Sequence, residues 1–110
     1  VNRVIVESPF RGDYALNRAY LLMCLRDCLN RGEAPFASHL FYTEVLDDRV
    51  ERDRDLGIIA GFAWAENAHL IAVYEDLGIS AGMRLGIQHH EACGRRVEYR
   101  SLGPAWKLKE

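Results

Sequence analysis

Three short stretches hold most of the residues able to do chemistry: "ESPFRGD" at 7–13, "SHLFYTE" at 38–44 and "DLGISAG" at 76–82. Between them they carry Glu7, Ser8, Arg11, Asp13, His39, Tyr42, Asp76 and Ser80. A carboxylate such as Glu7 or Asp76 can attack an electrophilic carbon, and His39 can serve as acid or base. Arg11 and Gly12 stand where a helix is expected to begin. A guanidinium fork and free backbone N–H groups would lie together there, a pairing suited to phosphate or carboxylate. The plainer alternative is that Pro9 and Gly12 shape a turn, Asp13 caps the helix and Arg11 faces solvent. In the third stretch Gly78 permits a turn, Ser80 can cap a helix or bind an anion, and Gly82 lies four residues before Gly86 on one helix face. A helical glycine costs about 1 kcal/mol against alanine, so close approach by a ligand, the sheet or another subunit is expected along that face.

Each stretch follows an apolar run with the character of a strand. "RVIVES" (3–8) is β-branched and ends at Ser-Pro; "EAPFASHLF" (33–41) reads as a second strand; "HLIAVY" (69–74) is the third and "RVEYRSL" (96–102) the fourth. The segments between them read as helices. Residues 12–32 place Leu21, Cys24, Leu25 and Cys28 at helical spacing and close on Gly32. Asp48 and Glu51 have the spacing of a capping box, ahead of a helix striped by Leu56, Ile59, Ala60, Ala63 and Trp64. Residues 80–94 form a third helix from Ser80 to Gly94. The order β-α-β-α-β-α-β predicts an α/β fold, a flavodoxin-like three-layer sandwich with a four-stranded parallel sheet. Strands 1 and 3 are the most apolar and should be central, in the order 2-1-3-4. Residues 1–110 then form one domain with 103–110 as a tail, and the three stretches meet at the carboxyl ends of the strands.

The totals narrow the function classes. The chain has 110 residues, 49% of them hydrophobic and 27% charged, with a formal net charge of −2. No basic stripe points to nucleic acid, and no apolar run nears the ~20 residues of a membrane span. No leader is read at the N-terminus. "DDRVERDRD" at 47–55 alternates in sign and reads as a solvated helix start. Cys24, Cys28 and Cys93 are an odd set expected to be buried and reduced, which fits the cytoplasm. His89 and His90 are adjacent on the third helix, point apart and read as surface residues. No metal set and no cofactor motif is read from the sequence.

"VIVESPFRGD" ahead of a long helix, and "AVYEDLGISAGMRLGI" near the C-terminus, resemble the two motif ends of the nucleoside 2-deoxyribosyltransferase-like superfamily. The likeness runs over residues 3 to about 102, and the superfamily's small members include nucleotide N-glycosidases and many bacterial and phage proteins. The resemblance implies a flavodoxin-like sheet with a nucleotide or nucleoside in the crevice. It assigns Ser8, Pro9, Phe10, Arg11 and Gly12 in the first loop, and Asp76, Gly78, Ile79, Ser80, Gly82 and Met83 in the last, to the sugar and phosphate. It also implies a homodimer or larger homo-oligomer, here through the helix carrying Gly82, Met83 and Gly86. One position departs from the pattern: the attacking glutamate of the family's last helix falls on Gly86 or Arg84. Three readings stand at this level. The first is a domain that binds a phosphorylated ribosyl ligand for sensing or sequestration, with Arg11 on phosphate and Phe10 or Tyr42 on the base or sugar. The second is an N-glycosidase or transferase with Glu7 or Asp76 as carboxylate and His39 as acid or base. The third is a structural or partner-binding subunit.

Overall fold

A computed structural model describes residues 1–109. Its elements run β1 (Arg3–Glu7), α1 (Tyr14–Asn30), β2 (Ala34–Phe36), α2 (Ser38–Phe41), a 3₁₀ turn (Tyr42–Glu44), α3 (Glu51–Ala65), β3 (Leu70–Tyr74), α4 (Ala81–Ala92), β4 (Val97–Arg100) and a second 3₁₀ segment (Pro104–Lys109). The four strands are parallel in the order β2-β1-β3-β4, as the apolar character of strands 1 and 3 predicts. Pairings Val4↔Leu70 and Ile5↔Ile71 hold the central register.

Alternation along the strands divides the core into two layers. Val4, Val6, Leu70, Ala72 and Tyr74 face α1, where they meet Tyr20, Leu21, Cys24 and Cys28. Ile5, Ile71 and Val73 face the other way, toward Ala65 of α3 and Met83 and Ile87 of α4. No helix among the described residues is long and apolar enough to cross a membrane.

Several expectations are corrected. The second strand stops at Phe36, and Ser38–Phe41 coil into α2, so His39 sits on a helical turn rather than a strand end. β2 is an edge strand, and its residue Pro35 has no N–H to offer a ladder. Helix α3 has Val50 at its N-cap without a side-chain cap, because Asp48 accepts from Arg11 instead of the helix. The stripe expected to bury α3 is largely exposed: Leu56, Ile59 and Trp64 are 47%, 66% and 57% accessible. The helix packs through Gly61 and Ala65, residues too small to give an apolar signal. A Cβ at Gly61 would stand 2.7 Å from Ser38 Oγ, so the glycine is what lets α3 lie against α2. Of the cysteines, Cys93 is exposed. The C-terminal segment packs on the domain: Trp106 is buried, with its ring 4.9 Å from Tyr20. Glu110, the last residue of that segment, lies outside the described residues.

Candidate functional site

Beyond the carboxyl end of β1 opens a cleft of about 600 Å³, the size of a small-ligand site. Its walls come from the β1–α1 loop, α2 and the turn after it, the inner side of α3 and the start of α4. Glu7, the last residue of β1, stands at its floor, and the adjoining Ser8 is buried.

Two histidines engage these neighbours. The Ser8 hydroxyl lies 2.8 Å from His39 Nε2. Burial pushes the His39 imidazole below its ordinary pKa, outweighing the opposing pull of the Glu7 charge, so the ring is neutral at neutral pH. Glu7 Oε1 lies 3.2 Å from His90 Nε2, and His90 is 1% accessible. On its far side His90 Nδ1 is 3.1 Å from Arg95 Nη1. Phe62 stands edge-on to His90, with ring centroids 5.5 Å apart, and stacks on His89 at 3.7 Å.

Gly86 explains how a strand-end carboxylate fits here. A Cβ built on it would lie 3.4 Å from both Glu7 carboxylate oxygens, and the three nearest atoms all belong to Glu7. The missing side chain of α4 leaves the space in which the Glu7 carboxylate sits. Gly82, one turn earlier, has nothing within 4 Å of its own Cβ position and borders the cleft.

The rim is charged. Arg11 Nε donates to Asp48 Oδ2 at 2.9 Å, and Arg54 Nη1 donates to the Asp48 carbonyl at 3.2 Å. Ser80 caps α4 by accepting from Met83 N at 3.2 Å. Its neighbours Ala81 and Gly82 present the helix start to the cleft.

Of the residues singled out from the sequence, Glu7, Ser8, Phe10, Arg11, His39, Tyr42, Ser80, Gly82 and Met83 line this cleft. Pro9, Gly12, Asp13, Asp76, Gly78 and Ile79 do not. Asp13 caps α1 by accepting from Leu16 N, and Ile79 packs into the core beside α4. Asp76 is taken up by the C-terminal segment: its carboxylate accepts from Tyr20, Ser101, Leu102 N and Gly103 N. Burial alone would raise the Asp76 carboxyl, but those hydrogen bonds outweigh it and hold the group below its usual range. It is a structural anchor. His90, read from the sequence as a surface residue, is buried beside Glu7. The signal was present, since Met83, Ile87 and His90 fall at i, i+4 and i+7 on the one buried face of α4. Asp48, Arg54 and Phe62 gave no comparable sign.

Residues 2–100 match the family model described as "Domain of unknown function (DUF7768)". Among solved structures, the fold matches a 2-deoxyribosyltransferase from Bacillus psychrosaccharolyticus with a TM-score of 0.66. The match covers 93% of this chain and 74% of that one at 15% sequence identity, a likeness of fold. No curated protein matches the chain by sequence.

Proposed function

The chain belongs to the DUF7768 family, and from the geometry of the cleft we propose that it binds a nucleoside or nucleotide and cleaves the N-glycosidic bond through Glu7. One observation carries this reading: the Glu7 carboxylate stands in the space that Gly86 vacates on α4, inside the cleft. The resemblance puts the superfamily's helix glutamate at Gly86 or Arg84, and in this reading a carboxylate supplied by β1 serves in its stead. Similarity of fold to a 2-deoxyribosyltransferase supports the reaction class.

In the first half-reaction a Glu7 oxygen attacks the anomeric carbon, the C–N bond breaks, and the base departs to take a proton from solvent. A glycosyl ester on Glu7 remains. In the second half His39, neutral because desolvation lowers its pKa, removes a proton from a water that hydrolyses the ester and frees Glu7. Phe10, edge-on to His39 with ring centroids 6.4 Å apart, offers an apolar wall to the base. Tyr42 is less free, because its hydroxyl accepts from Trp64 Nε1 at 2.7 Å. Where the ligand carries a phosphate, that group would replace Asp48 as the partner of Arg11 beside the start of α4.

For assembly, the exposed Leu56, Ile59 and Trp64 of α3 favour a homo-oligomer built on that helix. Met83 and Gly86 of α4 face inward and are not available to a neighbour.

The test is incubation with a panel of ribo- and 2′-deoxyribonucleosides and their monophosphates, followed by chromatography for free base. Base release is the expected result. A ligand that raises Tm without any release would leave a binding protein. Neither effect across the panel would remove the nucleotide reading altogether.

A further inference from the structure

The contact between Glu7 and His90 has a direction that the chemistry of Arg95 and of the carboxylate itself fixes. A guanidinium has donors and no acceptor. With Arg95 Nη1 3.1 Å from His90 Nδ1, that nitrogen must present its lone pair. The proton of the neutral ring therefore sits on Nε2, which donates to Glu7 Oε1 at 3.2 Å. The chain Arg95 → His90 → Glu7 runs one way, and the ring is 1% accessible, so water does not compete for either nitrogen.

The two oxygens of Glu7 are consequently unlike. Oε1 is held by His90, whereas among the described residues no protein group donates to Oε2. Oε2 is not sealed away either, since no buried side-chain oxygen lacks a partner among the described residues. We infer that His90, its tautomer set by the Arg95 donor on one side and the Glu7 acceptor on the other, is a positioning residue that ties down Glu7 Oε1 and leaves Oε2 as the oxygen directed at the ligand. Gly86 takes part by contributing no side chain on the same flank. The inference rests on the proposed role of Glu7 for its catalytic consequence, but the hydrogen-bond relay stands independently of it.

Arg95→Leu is the informative variant. Arg95 is half-buried, does not line the cleft and reaches Glu7 only through His90. Three quantities are read: the ¹⁵N shifts of the His90 ring, the side-chain carboxyl ¹³C signal of Glu7 (assigned with Glu7→Gln), and steady-state kinetics on whichever nucleoside is turned over. In the wild type the ring should be in the Nε2–H form. In Arg95→Leu Nε2 keeps its proton, because an ionised carboxylate can only accept, but Nδ1 loses its donor. The Nδ1 shift and the Glu7 signal should both move, and kcat should fall about 100-fold, the effect of a small misplacement of a reacting group, with KM unchanged. Arg96→Leu, at the exposed neighbouring position, should alter none of these. His90→Gln retains an N–H donor and should keep more activity than His90→Phe, which a purely space-filling role would not produce. An Nδ1–H ring in the wild type would overturn the relay, as would ring and Glu7 signals unchanged by Arg95→Leu. A shifted Nδ1 signal with unchanged kcat would overturn the positioning role. If the wild type turns over no nucleoside, the catalytic reading fails, and the two NMR signals still decide the relay.

Discussion

A double-mutant cycle between Gly86 and Glu7 probes the packing on which the site depends. Replacing an interior helical glycine with alanine stabilises by about 1 kcal/mol if the methyl group meets no obstacle. At Gly86 that methyl would lie 3.4 Å from both oxygens of Glu7, a carboxylate already held by His90. Making room takes a shift of a few tenths of an ångström, and pulling the side chain off its rotamer costs about 0.5–1.5 kcal/mol. Gly86→Ala alone should therefore change stability little. In a Glu7→Ala background the obstacle is gone and the full gain of about 1 kcal/mol should appear. The coupling energy is then about 0.5–1.5 kcal/mol, within the range for residues in contact. Urea denaturation of the four proteins measures it: with a slope of about 1–3 kcal/mol/M, a 1 kcal/mol change moves the midpoint by about 0.3–1 M. Additive effects would show that Glu7 does not occupy the space over Gly86.

Other consequences can be checked with simple measurements. Arg100 is buried and makes two bonds of 2.7 Å to the Glu33 carboxylate, so Arg100→Met should cost about 3–5 kcal/mol by denaturant titration, and adding Glu33→Gln should recover part of the loss. The Glu33 carboxyl is held below its usual range, first by the Arg100 hydrogen bonds, so its contribution is complete above the unfolded-state value of about 4.3 and is lost as pH falls through its lower folded value. Thermal melts should show an acid transition that is less steep in Glu33→Gln. Because burial lowers the His39 pKa, and His39 acts after the base has left, the acid limb of kcat should lie below about 6.5 where hydrolysis of the ester limits turnover, and a limb above that value would exclude neutral His39 as the base. Of the three thiols, Cys93 alone is exposed, while burial raises the pKa of both Cys24 and Cys28; a thiol reagent should modify one cysteine quickly and the other two only on unfolding.

The sheet was readable because its signals are local. Short β-branched runs alternate with helical spacing, and the two most apolar runs must be the ones with neighbours on both sides. The path from β2 to α3 was not readable for the opposite reason. Helix α3 is seated by Gly61 against Ser38, a contact that exists only once both elements are in place, while its large apolar residues face outward. At the site, strand ends pointed to Glu7, Ser8 and His39, but the same logic admitted Asp76, which follows β3 yet turns to the backbone of Leu102 and Gly103. What separates the two carboxylates is the path of the C-terminal segment, which local spacing does not encode. Gly86 was visible as a cost without a cause, and Glu7 supplies that cause.

The most direct test of the central claim is to trap the ester. The protein is mixed briefly with a nucleoside that it cleaves, quenched in acid, and weighed intact by mass spectrometry, with peptide mapping of any adduct. A mass increase of one pentosyl group is expected, located on the peptide containing Glu7. Base release should also fall at least about 10³-fold in Glu7→Gln, on the scale seen when a catalytic nucleophile is removed. Base release that survives in Glu7→Gln, or a pentosyl group found on another residue, would contradict the claim.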